Sequence, residues 1–78
     1  MSPAVSEDDE TGIHCRLDEL LEKREMTLTR LSELVGVSIV NLSVLKNDRA
    51  RAIRFSTLRA ICEALDCEVG ELLVCDHP

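Results

Sequence analysis

At 78 residues the chain has room for one domain, and its opening run MSPAVSEDDETG carries too few large apolar side chains to join a core, which leaves about 65 residues to fold. A domain of that size buries only roughly 60% of its unfolded surface, so a minimal core is expected and a deep catalytic cleft is not. The net charge of −6 argues as a total against nucleic acid, yet residues 37–61 carry +4 while residues 1–12 carry −4 and residues 62–78 carry −5, and a local basic stretch is what phosphate contact requires.

Residues 1–12 read as a disordered acidic arm, with Ser6 to Glu10 a charge run. It reads first as a solubilising tail; the alternative reading is an arm that competes with DNA for the basic stretch. Residues 13–76 read as the folded domain. From Ile13 to about Arg24, Ile13, Leu17, Leu20 and Leu21 recur at helical spacing and predict a first amphipathic helix. Asp18 and Glu19 early in it, and Lys23 and Arg24 at its end, suit the helix dipole.

Thr27 is placed to cap a second helix over Leu28 to Val35, because its hydroxyl can accept from a free backbone N–H of the first turn. Leu31, Ser32 and Val35 share a face there, and the small Ser32 allows another helix to approach. Gly36 can take the left-handed conformation that ends a helix. Val37 follows as an apolar plug, and Ser38 caps a third helix from Ile39 to about Asn47 with Leu42 and Leu45 inward. After a segment rich in arginine, Ser56 is read as the cap of a fourth helix from Thr57 to about Leu65, with Leu58, Ile61, Cys62 and Leu65 on its packing face. Asp66, Cys67 and Glu68 make a turn into a short fifth helix holding Val69, Leu72 and Leu73. No stretch alternates apolar and polar residues with β-branched enrichment, so no strand is predicted. The fold class is all-α, five helices and no sheet.

The pattern Thr27, Leu31, Ser32, Val35-Gly36-Val37-Ser38, Leu42, Leu45 and Lys46-Asn47-Asp48 resembles the Cro/CI-type (XRE) helix-turn-helix of phage repressors and bacterial regulators. The similarity extends over about residues 13–75. It implies a compact lambda-repressor-like DNA-binding domain, a sequence-specific transcriptional regulator acting as a repressor, in which the third helix enters the major groove and the second lies across the backbone. Carried over position by position, the base-facing residues are Ser38, Ile39, Val40, Asn41, Ser43 and Val44. The phosphate set is Thr29, Arg30, Lys46, Arg49, Arg51 and Arg54, with the segment from Arg49 to Phe55 as the loop along the phosphates and Ile53 and Phe55 tucked under the domain as its anchors. Operator binding by two copies on a twofold axis, and hence a homodimer formed through the fifth helix and Val74-Cys75, is implied by the same resemblance.

Here the sequence departs from the family's habit. Gln, Arg, Asn, Ser or Lys usually occupy the base-facing positions, whereas Ile39, Val40 and Val44 neither donate nor accept. Two readings follow. The three side chains pack against thymine methyl groups, with Ser38 and Ser43 adding short hydrogen bonds and the basic residues holding phosphates; or they form a protein-binding patch, extended by Leu28 and Leu34. For Arg30 the alternative to phosphate contact is a surface ion pair with Glu33 or Glu25, and Lys46 has a similar alternative.

The four cysteines, Cys15, Cys62, Cys67 and Cys75, include no CxxC pair, and His14 and His77 lie at opposite ends. The thiols are therefore read as small buried hydrophobes, with no metal and no cofactor expected. No phosphate loop, Ser/His/Asp set or walled-in carboxylate pair is present, so no enzyme is expected. With no apolar run of membrane-spanning length and an acidic start, a cytoplasmic protein is expected. No effector domain is read, so regulation is expected through abundance, a partner protein or oxidation of an exposed thiol.

Overall fold

The computed structural model describes residues 12–75, and every structural statement below concerns those residues. The expected acidic arm of residues 1–12 falls almost wholly outside them. Seven elements follow in order: β1 (Ile13–Cys15), α1 (Leu17–Lys23), α2 (Leu28–Val35), α3 (Ile39–Lys46), α4 (Phe55–Leu65), α5 (Val69–Leu72) and β2 (Leu73–Cys75).

The five helices stand close to where periodicity places them, and the core is built from their inward leucines. Leu17, Leu31, Leu42, Ile61, Leu65 and Leu72 are almost completely buried, one or two from each helix. A core drawn evenly from five short helices is the expected solution for a chain this small, because none of them buries enough apolar surface to be stable alone.

Strand pairing is a correction to the all-α reading. β1 and β2 form a two-stranded antiparallel ribbon in which Ile13 faces Cys75, His14 faces Val74 and Cys15 faces Leu73. Residues 13–15 therefore do not open α1, and Ile13 is exposed rather than part of a buried helical face. Leu73 likewise leaves α5 for β2, and Val69 at the start of α5 is exposed, so Leu72 alone carries the core contact of that helix. The ribbon joins segments some sixty residues apart and extends through Arg16, whose N–H donates to the Leu72 carbonyl at 2.7 Å. No local pattern of three residues announces such a pairing.

The first four helices each end at a left-handed residue, whereas α5 runs straight into extended backbone. Glu25, Gly36, Asp48 and Asp66 have φ of 53°, 72°, 61° and 51°. Three of them close their helix with the paired backbone bonds of a Schellman turn. After α1 these are Met26 N–H to Leu21 O and Glu25 N–H to Glu22 O, after α3 Arg49 N–H to Val44 O and Asp48 N–H to Leu45 O, and after α4 Cys67 N–H to Cys62 O and Asp66 N–H to Glu63 O. Gly36 ends α2 with one bond to the Ser32 carbonyl at 2.9 Å. Arg24 does not serve its own helix: Nε donates to the Leu65 carbonyl at 2.6 Å and Nη2 to the Asp66 carbonyl at 2.9 Å, so its guanidinium caps the end of α4.

The start of α4 differs from the reading by cap residues. Phe55 is its first residue and Arg54 precedes it without a side-chain cap, so Ser56 lies inside the helix. Phe55 is not tucked under the domain but is 86% exposed. Helical spacing does put it in register with Leu58 and Cys62, yet it stands in the first turn, where no neighbouring element covers it. Ile53 is half-buried and packs against the core, as expected of a loop anchor. Cys62 is buried and Cys15 and Cys67 are half-buried, whereas Cys75 is exposed, which corrects the reading of all four thiols as core residues.

Candidate nucleic-acid interface

The unit from Thr27 to Asp48 is held by short polar bonds that its sequence specifies. Thr27 Oγ1 accepts from Arg30 N–H at 3.0 Å and Ser38 Oγ accepts from Asn41 N–H at 3.1 Å, so both helices begin on side-chain caps. Between them the chain bends by 117°, within the range that defines a helix-turn-helix. The turn is locked from inside: the half-buried Ser32 Oγ donates to the Val37 carbonyl at 2.6 Å. Ser32 is thus small for approach and also polar for a reason, since it satisfies a carbonyl the turn would otherwise leave open. Leu31 and Leu42 lie beneath and pin α2 and α3 to the core.

With Leu42 and Leu45 directed inward, the remaining residues of α3 face outward. Ser38, Ile39, Val40 and Asn41 are exposed, as is Val44, and Ser43 is half-buried. Val40 is the most open of the three branched side chains, at 70%. Ser43 is engaged, because Asn47 Nδ2 donates to its Oγ at 3.4 Å. On α2, Leu34 is exposed but Leu28 packs against the core, so Leu28 does not extend the apolar outer face.

The expected phosphate residues divide into two groups. Thr29 and Arg30 are exposed near the start of α2, and Arg30 Nη1 pairs with Glu33 Oε1 at 3.2 Å. Lys46 Nζ pairs with Asp18 Oδ1 of α1 at 3.3 Å. The Arg30 pair is exposed on both sides, where an exchange of partner costs about 0–1 kcal/mol, whereas Lys46 is half-buried and only its Asp18 partner is exposed. Arg49, Arg51 and Arg54 are exposed along the loop between α3 and α4. That loop and α3 enclose an open cleft of about 640 Å³ whose walls include Ser38, Asn41 and Val44 on one side and Arg49, Arg51 and Arg54 on the other. Side chains expected to face bases and side chains expected to face phosphates therefore border one concavity.

Asp48 fixes the end of α3 and was legible only as part of a motif. Its Oδ1 accepts from Cys15 N–H at 2.7 Å and its Oδ2 lies 3.0 Å from His14 Nδ1. The Cys15 amide first and His14 second hold its carboxyl below the usual carboxylate range, while burial pushes the Cys15 thiol up. The one signal in the sequence is the residue type, since Asp and Asn are enriched in left-handed conformations.

Residues 16–77 match the Cro/C1-type HTH DNA-binding domain family. The chain is 56% identical over 62 residues to an uncharacterised HTH-type transcriptional regulator, YozG, of Bacillus subtilis (strain 168), an overlap covering 80% of this chain and 74% of that protein. No solved structure gives a significant match. A capped, glycine-hinged pair of helices at 117°, in a chain matched over this length, makes the protein a member of the Cro/C1-type helix-turn-helix family, and it is a DNA-binding transcriptional regulator.

Proposed function

We propose that the protein is a repressor that reads a short duplex sequence by laying α3 in the major groove, with α2 across the backbone and the arginine loop along the phosphates. The observation that carries this reading is the shared cleft: α3 and the loop with Arg49, Arg51 and Arg54 are joined in one concavity beside a correctly bent pair of helices. Ile39, Val40 and Val44 meet thymine methyl groups, Ser38 and Asn41 reach base edges, and Thr29, Arg30, Lys46 and the loop arginines contact phosphate oxygens. The start of α2 adds its free N–H groups and the positive end of its dipole to the same strand.

A unit this small contacts few base pairs, so two copies bind half-sites about one helical turn apart. The operator is accordingly twofold symmetric and rich in thymine at the positions under α3. The protein works in the cytoplasm, where its DNA is. Titration of labelled duplex at several salt concentrations tests the reading: log K should fall linearly with log salt, and replacing Arg49, Arg51 and Arg54 with Ala should flatten that slope. Absence of binding at the lowest salt defeats it. A face that instead serves a protein partner would keep partner capture sensitive to Ile39→Ser and Val44→Ser while DNA binding is unaffected by either.

A further inference from the structure

Three helices end in the same Schellman geometry, and the motif brings the residue after the left-handed position against the third residue from the helix end. At α1 those positions hold Leu21 and Met26, which pack as hydrophobes, and at α3 they hold Val44 and Arg49. At α4 they hold Cys62 and Cys67. The backbone is closed between them by Cys67 N–H to Cys62 O at 3.0 Å, with Asp66 at φ 51° turning the chain back. Cys62 is 8% exposed and belongs to the core, while Cys67 is half-buried, and both border an open cleft of about 600 Å³ shared with Phe55, Leu58 and Val69. Both thiols are free.

We propose that Cys62 and Cys67 are a dithiol site that hydrogen peroxide closes to an intramolecular disulfide. Cys67 faces the cleft and reacts first: its thiolate sulfur attacks one peroxide oxygen, the O–O bond breaks, and the products are a Cys67 sulfenic acid and hydroxide. The Cys62 sulfur then attacks the Cys67 sulfur, the S–O bond breaks, and the departing hydroxide takes the Cys62 proton to leave as water. In total two thiols and one peroxide give one disulfide and two waters. Burial and the neighbouring Cys62 thiol push Cys67 up to about 11, so little thiolate is present at neutral pH and the site answers sustained rather than brief exposure to oxidant. Closure crosslinks the end of α4 to the turn that launches α5, and α5 runs directly into β2.

The experiment uses the full chain with Cys15→Ala and Cys75→Ala, which leaves the pair alone. After peroxide treatment, alkylation under unfolding conditions and intact-mass measurement should show a monomer that has lost two hydrogens and takes up no reagent, with both thiols recovered on reduction by dithiothreitol. Adding Cys67→Ser should restore alkylation or oxygen uptake at Cys62 and abolish the loss of hydrogens. In the unsubstituted protein, peptide mapping should find the Cys62–Cys67 linkage. Two alkylatable thiols after sustained oxidation, oxygen adducts without a disulfide, or crosslinks running only through Cys15 or Cys75 overturn the proposal.

Discussion

The Asp48 carboxylate receives the backbone N–H of Cys15 at 2.7 Å, and with the neighbouring contact to His14 this bond ties the end of α3 to the first strand of the domain. The two residues are 33 positions apart, and Asp48 makes the contact from a left-handed backbone, φ 61°. Replacing it with Ala removes the acceptor for Cys15 and the partner of His14 while leaving the strained φ in place. The expected loss is about 1–2 kcal/mol, from the unmet N–H and one exposed charged contact. Asp48→Asn keeps an oxygen for Cys15 and should lose less. Chemical denaturation of the three proteins at neutral pH gives the order.

The same carboxylate sets a pH dependence. Its folded-state pKa lies below its unfolded one, first through the Cys15 amide and then through His14, so its contribution is fully present above the ordinary Asp value of about 4 and disappears as pH falls through the lower folded value. Melting temperatures between pH 6 and pH 2 should therefore fall less steeply for Asp48→Asn than for the parent protein. Parallel curves for the two proteins would mean that the carboxylate is not held in this way.

Arg24 is expected to matter more than an exposed arginine ordinarily does, because its two donors serve the Leu65 and Asp66 carbonyls at the end of α4. Arg24→Ala should cost about 1–2 kcal/mol and Arg24→Lys nearly as much, since an ammonium reaches one carbonyl at a time. Arg59→Ala, which removes an exposed pair with Glu63 on the same helix, should change stability by less than about 0.5 kcal/mol. A thermal-shift comparison of the three separates the capping role from a general effect of charge.

Glu25 closes α1 in a left-handed conformation, and among the described residues its carboxylate makes no bond of the kind that Asp48 makes. Glycine relieves the Cβ contact of that conformation, so Glu25→Gly should raise stability by about 0.5–1 kcal/mol. A lowered denaturation midpoint would show that the Glu25 side chain contributes more than its backbone costs.

On the outer face of α3, Ile39→Ser and Val44→Ser should each cost the fold no more than about 1.5 kcal/mol, because the two residues are 44% and 38% exposed and bury only part of their apolar surface. Binding to a thymine-bearing operator should weaken by about 1–3 kcal/mol per lost base contact, with binding to unrelated duplex unchanged. Competition titrations measure the two affinities side by side. Equal weakening on both duplexes would place these residues on the backbone rather than on the bases.

What the sequence determined by itself was the local hardware of the regulator. Thr27 and Ser38 were readable as caps because a hydroxyl before an apolar periodic run has one good use, and Gly36 was readable as a hinge because its position needed a positive φ. Leu31, Leu42 and Leu45 were readable as core because helical spacing assigns a face. Spacing assigns a face but not a neighbour, and that is where the tertiary structure decided. It left Phe55 in solvent although its register matched Leu58, turned Ile13–Cys15 and Leu73–Cys75 into a paired ribbon, sent Arg24 to a helix other than its own, and gave Asp48 a partner on β1. Apart from Phe55, which no element covers, these outcomes rest on contacts between segments distant in the chain, whose pairing is selected by the packing of the whole domain and leaves no periodic trace in either segment alone.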